Sequence, residues 1–131
     1  MKVGIYAGSF NPFHAGHLDV LIKAAKLFDR IIIASPWGKV NDFTLFRSSS
    51  KSLIKKVRFC EFSGTLVAFS KKVKATALIR GLRNSTDLEY ERSMLYWNED
   101  LGLQIPTIYI ICDRNLVHIS SSAIREVKKL K

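Results

Sequence analysis

Two stretches of this chain, far apart in sequence, carry residue types suited to holding phosphate. The first is Gly8-Ser9-Phe10-Asn11-Pro12-Phe13-His14-Ala15-Gly16-His17, which follows an apolar run and opens a helical pattern. The second is Ile79-Arg80-Gly81-Leu82-Arg83, which leaves another apolar run, with Thr86-Asp87-Leu88-Glu89 beginning the next helix. A strand that turns through small residues into a helix aims free backbone N–H groups at its mouth, and the helix dipole favours an anion there. His17, Arg80 and Arg83 add side-chain donors. Two such junctions on one small chain argue for an enzyme that handles nucleotides.

Other chemistries fit less well. His14 and His17, three residues apart, share one face at a helix start, but no third ligand at suitable spacing completes a zinc site. The Walker lysine and Gly-x-Gly-x-x-Gly are both absent, which removes the P-loop and dinucleotide fingerprints. Each residue also has a plainer reading. Arg80 and Arg83 could pair with Asp87 or Glu91 as surface salt bridges, worth ~0–1 kcal/mol each. Serines before a helix are commonly caps.

The elements that must position these residues follow from periodicity and breakers. Lys2–Ala7 reads as a strand ending at Gly8. Ala15–Phe28 places Leu18, Leu21, Ile22, Ala25 and Phe28 at three- and four-residue steps, an amphipathic helix. Arg30–Ser35 is rich in isoleucine, as a parallel strand covered on both faces should be. Pro36–Asp42 is a loop by its breakers. Leu45–Lys56 reads as a weak helix interrupted in propensity by Ser48–Ser50. Strand Val57–Phe62, helix Gly64–Val73 and strand Thr76–Ile79 follow. Thr86–Leu101 is a helix with Thr86 and Glu89 as a capping box and Tyr90, Met94, Trp97 and Leu101 on one stripe. Strand Pro106–Cys112 and helix Ser121–Leu130 complete the chain.

This alternation predicts a single α/β domain over residues 1–131. It is a Rossmann-like open parallel sheet of about five strands in the order 3-2-1-4-5, with helices on both faces. Ligands of such sheets bind beyond the strands' carboxyl ends, where strand order reverses. The first strand and the strand before Arg80 would be neighbours there, bringing both junctions to one crevice.

The 131 residues, 47% apolar and 24% charged, are enough for one proper core. No apolar run approaches the ~20 residues that span a bilayer. The N-terminus enters a strand-like run at once, so neither a leader nor a membrane partner is expected, and a cytoplasmic location is. Cys60 and Cys112 should be unpaired thiols, on strands toward opposite sheet edges. The net charge of +10 comes from dispersed lysines with no interleaved aromatics, which argues against nucleic acid as a partner.

The Gly8–Pro12 turn leading into His14-Ala15-Gly16-His17 resembles the signature of the nucleotidyltransferases with the His-x-Gly-His motif. Ile79–Arg83, then Asp87-Leu88-Glu89-Tyr90-Glu91, then Ile119-Ser120-Ser121-Ser122 resemble one branch, the phosphopantetheine adenylyltransferases. The likeness runs in order through nearly the whole chain. It implies transfer of AMP from ATP to 4′-phosphopantetheine, giving dephospho-coenzyme A and pyrophosphate. Mg²⁺ would be carried on the ATP phosphates, with no covalent enzyme intermediate. It also implies a homo-oligomer, hexameric in relatives.

Residue by residue, the resemblance assigns His17, Lys39 and Arg80 to catalysis. It gives ATP to Ser9, Phe10, His14, Gly16, His17, Gly81, Arg83, Glu91, Ser120, Ser121 and Ser122. Within that set His17 meets the α-phosphate, the serines meet the β- and γ-phosphates, and Glu91 lies by the ribose. The acceptor falls to Ser9, Lys39, Leu66, Arg80, Met94 and Asn98, with Arg80 on its phosphate. The chain departs from the family at Asn11, where Asp is usual, at His14, where Thr is common, and at Gly64, often Asp. Acidic residues are missing after Phe43-Thr44-Leu45, where Phe46-Arg47 stand instead. His14 and Ser122-Ala123-Ile124-Arg125 lean toward nicotinate or nicotinamide mononucleotide adenylyltransferases. A mononucleotide adenylyltransferase and a basic nucleotide-binding module without catalysis stay open as alternatives.

Overall fold

A computed structural model describes residues 1–116 and 119–129; the last predicted helical residue, Leu130, lies outside them. Five strands, β1 (Val3–Ala7), β2 (Arg30–Pro36), β3 (Val57–Phe62), β4 (Ala77–Leu82) and β5 (Thr107–Ile111), form one sheet in the order β3-β2-β1-β4-β5. All neighbours are parallel, as predicted. Each strand returns through helix: α1 (Ala15–Ala25), α2 (Thr44–Arg47) and α3 (Lys51–Lys56), α4 (Leu66–Lys72), then α5 (Ser85–Asp100). After β5 comes a 3₁₀ turn (Arg114–Leu116) and then α6 (Ser121–Lys129).

Strand alternation divides the core into two layers. Ile31, Ile33, Ala77 and Ile79 pack with Val20, Leu21 and Ala24 of α1, Phe46 of α2 and Leu53 of α3. On the opposite face Ile5, Ala7, Ile32, Ala34 and Leu78 pack against Leu66 and Phe69 of α4 and against Leu103 and Ile105. The central strands β1 and β2 are buried on both faces, which the isoleucine-rich sequence of β2 foretold. Cys60 lies on β3 and Cys112 just beyond β5, at the two edges, and both are free thiols.

Four sequence expectations need correction. The serine run splits the expected helix Leu45–Lys56 in two. Ser48 and Ser49 hydroxyls donate to the carbonyls of Leu45 and Phe46 (2.8 and 2.6 Å), and Ser50 Oγ accepts from the Leu53 N–H. Serine competes with the helix backbone, ending one helix and capping the next. Helix α4 is shorter than predicted because Thr65 is its cap, accepting from Ala68 N–H.

The third correction is that α5 is capped by Asn84, which accepts from the Asp87 N–H, rather than by Thr86 with Glu89. The fourth is that its apolar stripe faces outward: Tyr90, Met94, Trp97 and Leu101 are all exposed, and Glu91 is the helix's one buried residue. Periodicity identified an apolar face. It could not say whether anything covers it, and α5 lies toward the β5 edge of the sheet.

Candidate active site

The cleft opens over the carboxyl ends of β1 and β4, where strand order reverses, with a volume of about 410 Å³. Ser9, Phe10, His14, Gly16, His17, Arg80, Gly81, Arg83, Glu91, Ser120 and Ser121 line it. The fold therefore brings the two junctions together across one crevice. Ser122 is exposed and absent from the lining. Lys39 is exposed on the loop after β2, while Leu66, Met94 and Asn98 lie on α4 and α5, and none of these four lines the cleft.

The β1–α1 junction is organised by its own histidines. His14 is the N-cap of α1, and its Nδ1 accepts from the Gly16 N–H at 3.0 Å; His17 Nδ1 accepts from the His14 N–H at 3.1 Å. This is a reciprocal capping box built from imidazoles. The rings stack with centroids 3.7 Å apart. A nitrogen that accepts carries no proton, so each neutral ring holds its hydrogen on Nε2. His17 thus has an Nε2–H to donate. Burial, reinforced by His14, Arg80 and Arg83, lowers the His17 pKa to about 3, and burial with Arg83 lowers that of His14. Both are neutral near pH 7.

Gly16 has a local reason: a Cβ there would sit 2.9 Å from the His14 ring. Phe10 adopts φ 51°, a left-handed conformation that costs a non-glycine residue about 1 kcal/mol. Ring contacts hold it there, with Tyr6 at 5.2 Å, His17 at 4.9 Å and Phe43 at 5.6 Å between centroids. The Ser9 and Phe10 N–H groups have no partner among the described residues, which leaves this turn able to receive an anion.

The β4–α5 junction differs from expectation. Strand β4 continues through Arg80, Gly81 and Leu82, paired to Tyr109, Ile110 and Ile111. Arg80 and Gly81 are strand residues, and the Arg83 N–H is consumed by Asp87 Oδ2 at 3.0 Å. Side chains, not turn amides, are what this junction offers. Gly81 has a packing role as well: a Cβ would lie 2.8 Å from Val20 Cγ2, so its absence lets α1 sit against β4.

Both arginines are locked by carboxylates. Arg80 Nε and Nη2 donate to Glu91 at 2.9 and 2.8 Å, and Nη1 donates to the Ala7 carbonyl at 2.8 Å. Arg83 Nε and Nη2 donate to Asp87 at 2.9 and 3.0 Å, with Nη1 reaching the Ile119 carbonyl at 3.3 Å. The pairing raises both arginine pKa values, for Arg80 against the opposing effect of burial, while Arg83 holds Asp87 below the usual carboxylate range. These ion pairs are half-buried rather than fully exposed. The cleft is electrically almost balanced at rest, and neither carboxylate is left over to hold a metal ion.

The α6 serines are engaged too. Ser120 Oγ caps the Ala123 N–H, Ser121 Oγ donates to the Pro12 carbonyl at 2.9 Å, and Ser122 Oγ accepts from Arg125. Arg125 also donates to the Asn11 carbonyl. With no buried residue of its own, α6 is fastened to the first junction by polar contacts. Among the lining residues that sequence reasoning did not assign to the site are Tyr6 and Cys112. Tyr6 is 4% exposed, and burial raises its phenol pKa, so it remains a protonated hydroxyl at the cleft floor. Its place at the end of a predicted strand was the available signal.

Comparison with known proteins agrees with this geometry. The cytidylyltransferase-like family profile matches residues 5–127. A phosphopantetheine adenylyltransferase of Clostridium perfringens is 38% identical over 135 aligned positions, covering 97% of this chain and 82% of that protein. One from Streptococcus pneumoniae is 35% identical, covering 98% and 84%. Among solved structures, a Vibrio parahaemolyticus protein assigned as a nicotinate-nucleotide adenylyltransferase superposes with a TM-score of 0.66 at 18% identity, covering 97% of this chain and 80% of that one. At that identity the likeness speaks to fold alone.

Proposed function

We propose, for a chain that belongs to the cytidylyltransferase-like family and within it to the phosphopantetheine adenylyltransferases, that it transfers AMP from ATP to 4′-phosphopantetheine. A phosphate oxygen of the acceptor attacks the α-phosphorus, the bond to the β-phosphate breaks, and pyrophosphate leaves. Dephospho-coenzyme A is the other product. The observation that carries this reading is the shared cleft, with the His17 Nε2–H on one wall and two carboxylate-locked arginines on the other.

That inventory suits a reaction with an ionised nucleophile. No base is needed, and none is free: Glu91 and Asp87 are both committed to arginines. What the transition state requires is donors aimed at growing charge on the transferred group, fixed before the reaction starts. His17 supplies a neutral donor held by its own helix cap. The Ser9–Phe10 amides and Arg83 are placed to receive the triphosphate, with Ser120 and Ser121 alongside. Mg²⁺ would arrive on the phosphates as part of the substrate, because the cleft has no carboxylate to spare for it.

Arg80 projects to the sheet face that also carries α4 and α5, the side of Leu66, Met94 and Asn98. We assign the acceptor to that side. Lys39 would reach the phosphates by movement of its loop, where Gly38 already takes φ 79°. The exposed stripe on α5 supports self-association, which sedimentation would read directly; among the described residues no helix is long and apolar enough to cross a membrane.

The deciding experiment measures pyrophosphate release from Mg-ATP with phosphopantetheine and with nicotinate mononucleotide, side by side. Release with the first is expected. Release with the second alone would reassign the acceptor, and nucleic-acid binding without turnover of either would favour the non-catalytic reading.

A further inference from the structure

A second cavity, of about 370 Å³, lies on the sheet face that carries α1, α2 and α3, over β2 and the edge strand β3. It shares no lining residue with the cleft. Parallel register sets Ile33 beside Phe59 and, two residues on, Ser35 beside Glu61. Side chains two apart on a strand share a face, and neighbouring strands lie about 4.8 Å apart. The floor therefore has an apolar half and a polar half side by side.

Phe59 bounds the apolar half. Phe43 and Phe46 meet its ring in T-shaped contacts, with centroids 4.6 and 5.1 Å away, yet Phe59 remains 47% exposed. The polar half is unengaged. Ser35 is only 3% exposed, and its hydroxyl has no hydrogen-bond partner among the described residues. Unlike the Thr107 hydroxyl it is not sealed in the core, so it opens on the cavity. Buried polar groups are nearly always paired, and one left free at a cavity floor is a place for a polar ligand atom. Arg47, the last residue of α2, and Glu61 of β3 also line this space, and both are exposed. They carry opposite charges, yet neither forms an ion pair with the other or with any described residue. Adenylyl transfer uses none of these side chains.

We propose that this cavity binds a small zwitterion with an apolar arm, the chemistry of a free aromatic α-amino acid. The carboxylate meets Arg47 and the ammonium meets Glu61, with the Ser35 hydroxyl as a neutral partner below them. The ring lies against Phe59 and Ile33. The volume falls at the small end of the range for small-molecule sites, about 300–1,000 Å³. A simple anion would face Glu61 and a simple cation would face Arg47, so each meets a like charge that a zwitterion avoids. Binding here does not depend on adenylyl transfer.

The test is calorimetric titration of the full chain with four probes. They are L-phenylalanine, L-phenylalaninamide without the carboxylate, 3-phenylpropionate without the ammonium, and L-alanine without the ring. L-Phenylalanine should bind saturably with a Kd at or below about 1 mM. The amide and the propionate should each bind about 3–10-fold more weakly, the size of one charge-assisted contact at a partly exposed site. L-Alanine should give no saturable signal. Arg47→Gln should weaken L-phenylalanine by about the same 3–10-fold and leave the amide within about twofold, and Glu61→Gln should do likewise with the propionate. Ser35→Ala, with circular dichroism as for wild type, should weaken L-phenylalanine about 2–10-fold. Absence of saturable binding up to about 10 mM would overturn the proposal. So would 3-phenylpropionate binding as tightly as L-phenylalanine, which is what the net charge of +10 alone would produce. An affinity unchanged by either Arg47→Gln or Glu61→Gln would put the ligand elsewhere and overturn it too.

Discussion

The two strand-to-helix junctions that meet in the cleft reach readiness by opposite routes. At β1–α1 the donor is an uncharged imidazole, made so by burial and by neighbouring positive charge, and aimed by hydrogen bonds within a single helix cap. At β4–α5 the donors are full charges, each held in place by a carboxylate from the following helix. Polyanion sites need strong donors that do not collapse onto one another. Neutrality on one wall and internal pairing on the other both achieve this, and keep the cleft from accumulating positive charge.

The comparison is broken most sharply at His17. His17→Ala removes the Nε2–H and should lower kcat by roughly 10²–10³, the usual size for one transition-state donor, while circular dichroism stays close to wild type. A near-normal rate would mean that the arginine wall carries the reaction alone.

A smaller effect comes with acid. The folded-state pKa of His17 lies near 3 against about 6.5 unfolded, and that of His14 is also lowered. The unfolded chain then binds more protons, so stability rises with pH through this window and falls as pH drops from about 6.5 toward 3. Between pH 6.5 and 4.5, above the carboxylate range, His17 should cost on the order of 2–3 kcal/mol. Thermal melts over that interval should show this in wild type and a flatter profile in His17→Asn. An equal slope in both would show that the histidine wall is not held neutral.

The smallest effect concerns the contact between the two junctions. Gly81→Ala puts a Cβ 2.8 Å from Val20 Cγ2 and should cost about 1–3 kcal/mol by overpacking. Adding Val20→Ala should recover part of it. Denaturant midpoints for the two single variants and the pair measure this, and purely additive losses would show that α1 and β4 do not meet through Gly81.

Much of this was legible in the chain. The isoleucine-rich run Arg30–Ser35 announced the buried strand β2, and strict alternation gave parallel strands because each crossover needs a helix. The motif residues His17, Arg80 and Arg83 were visible by type. Less legible was their state. The sequence offered Asp87 and Glu91 as partners for the two arginines but not which carboxylate serves which, and Glu91, which the resemblance sets beside a ribose, is buried against Arg80. The Tyr90, Met94, Trp97 and Leu101 stripe was legible as one face of a helix, but spacing reports a face and not its cover, and the face is exposed. The Asn84 cap was hidden by a better-looking Thr86–Glu89 pair.

Sequence by itself determined the alternation of strands and helices that makes a parallel sheet, and the chemical types carried at each junction, because periodicity and residue type act locally. Tertiary structure alone decided which donors are charged, which are already engaged and which way each one points. Those properties depend on burial and on partners as distant as Ala7 from Arg80, and no local pattern encodes them.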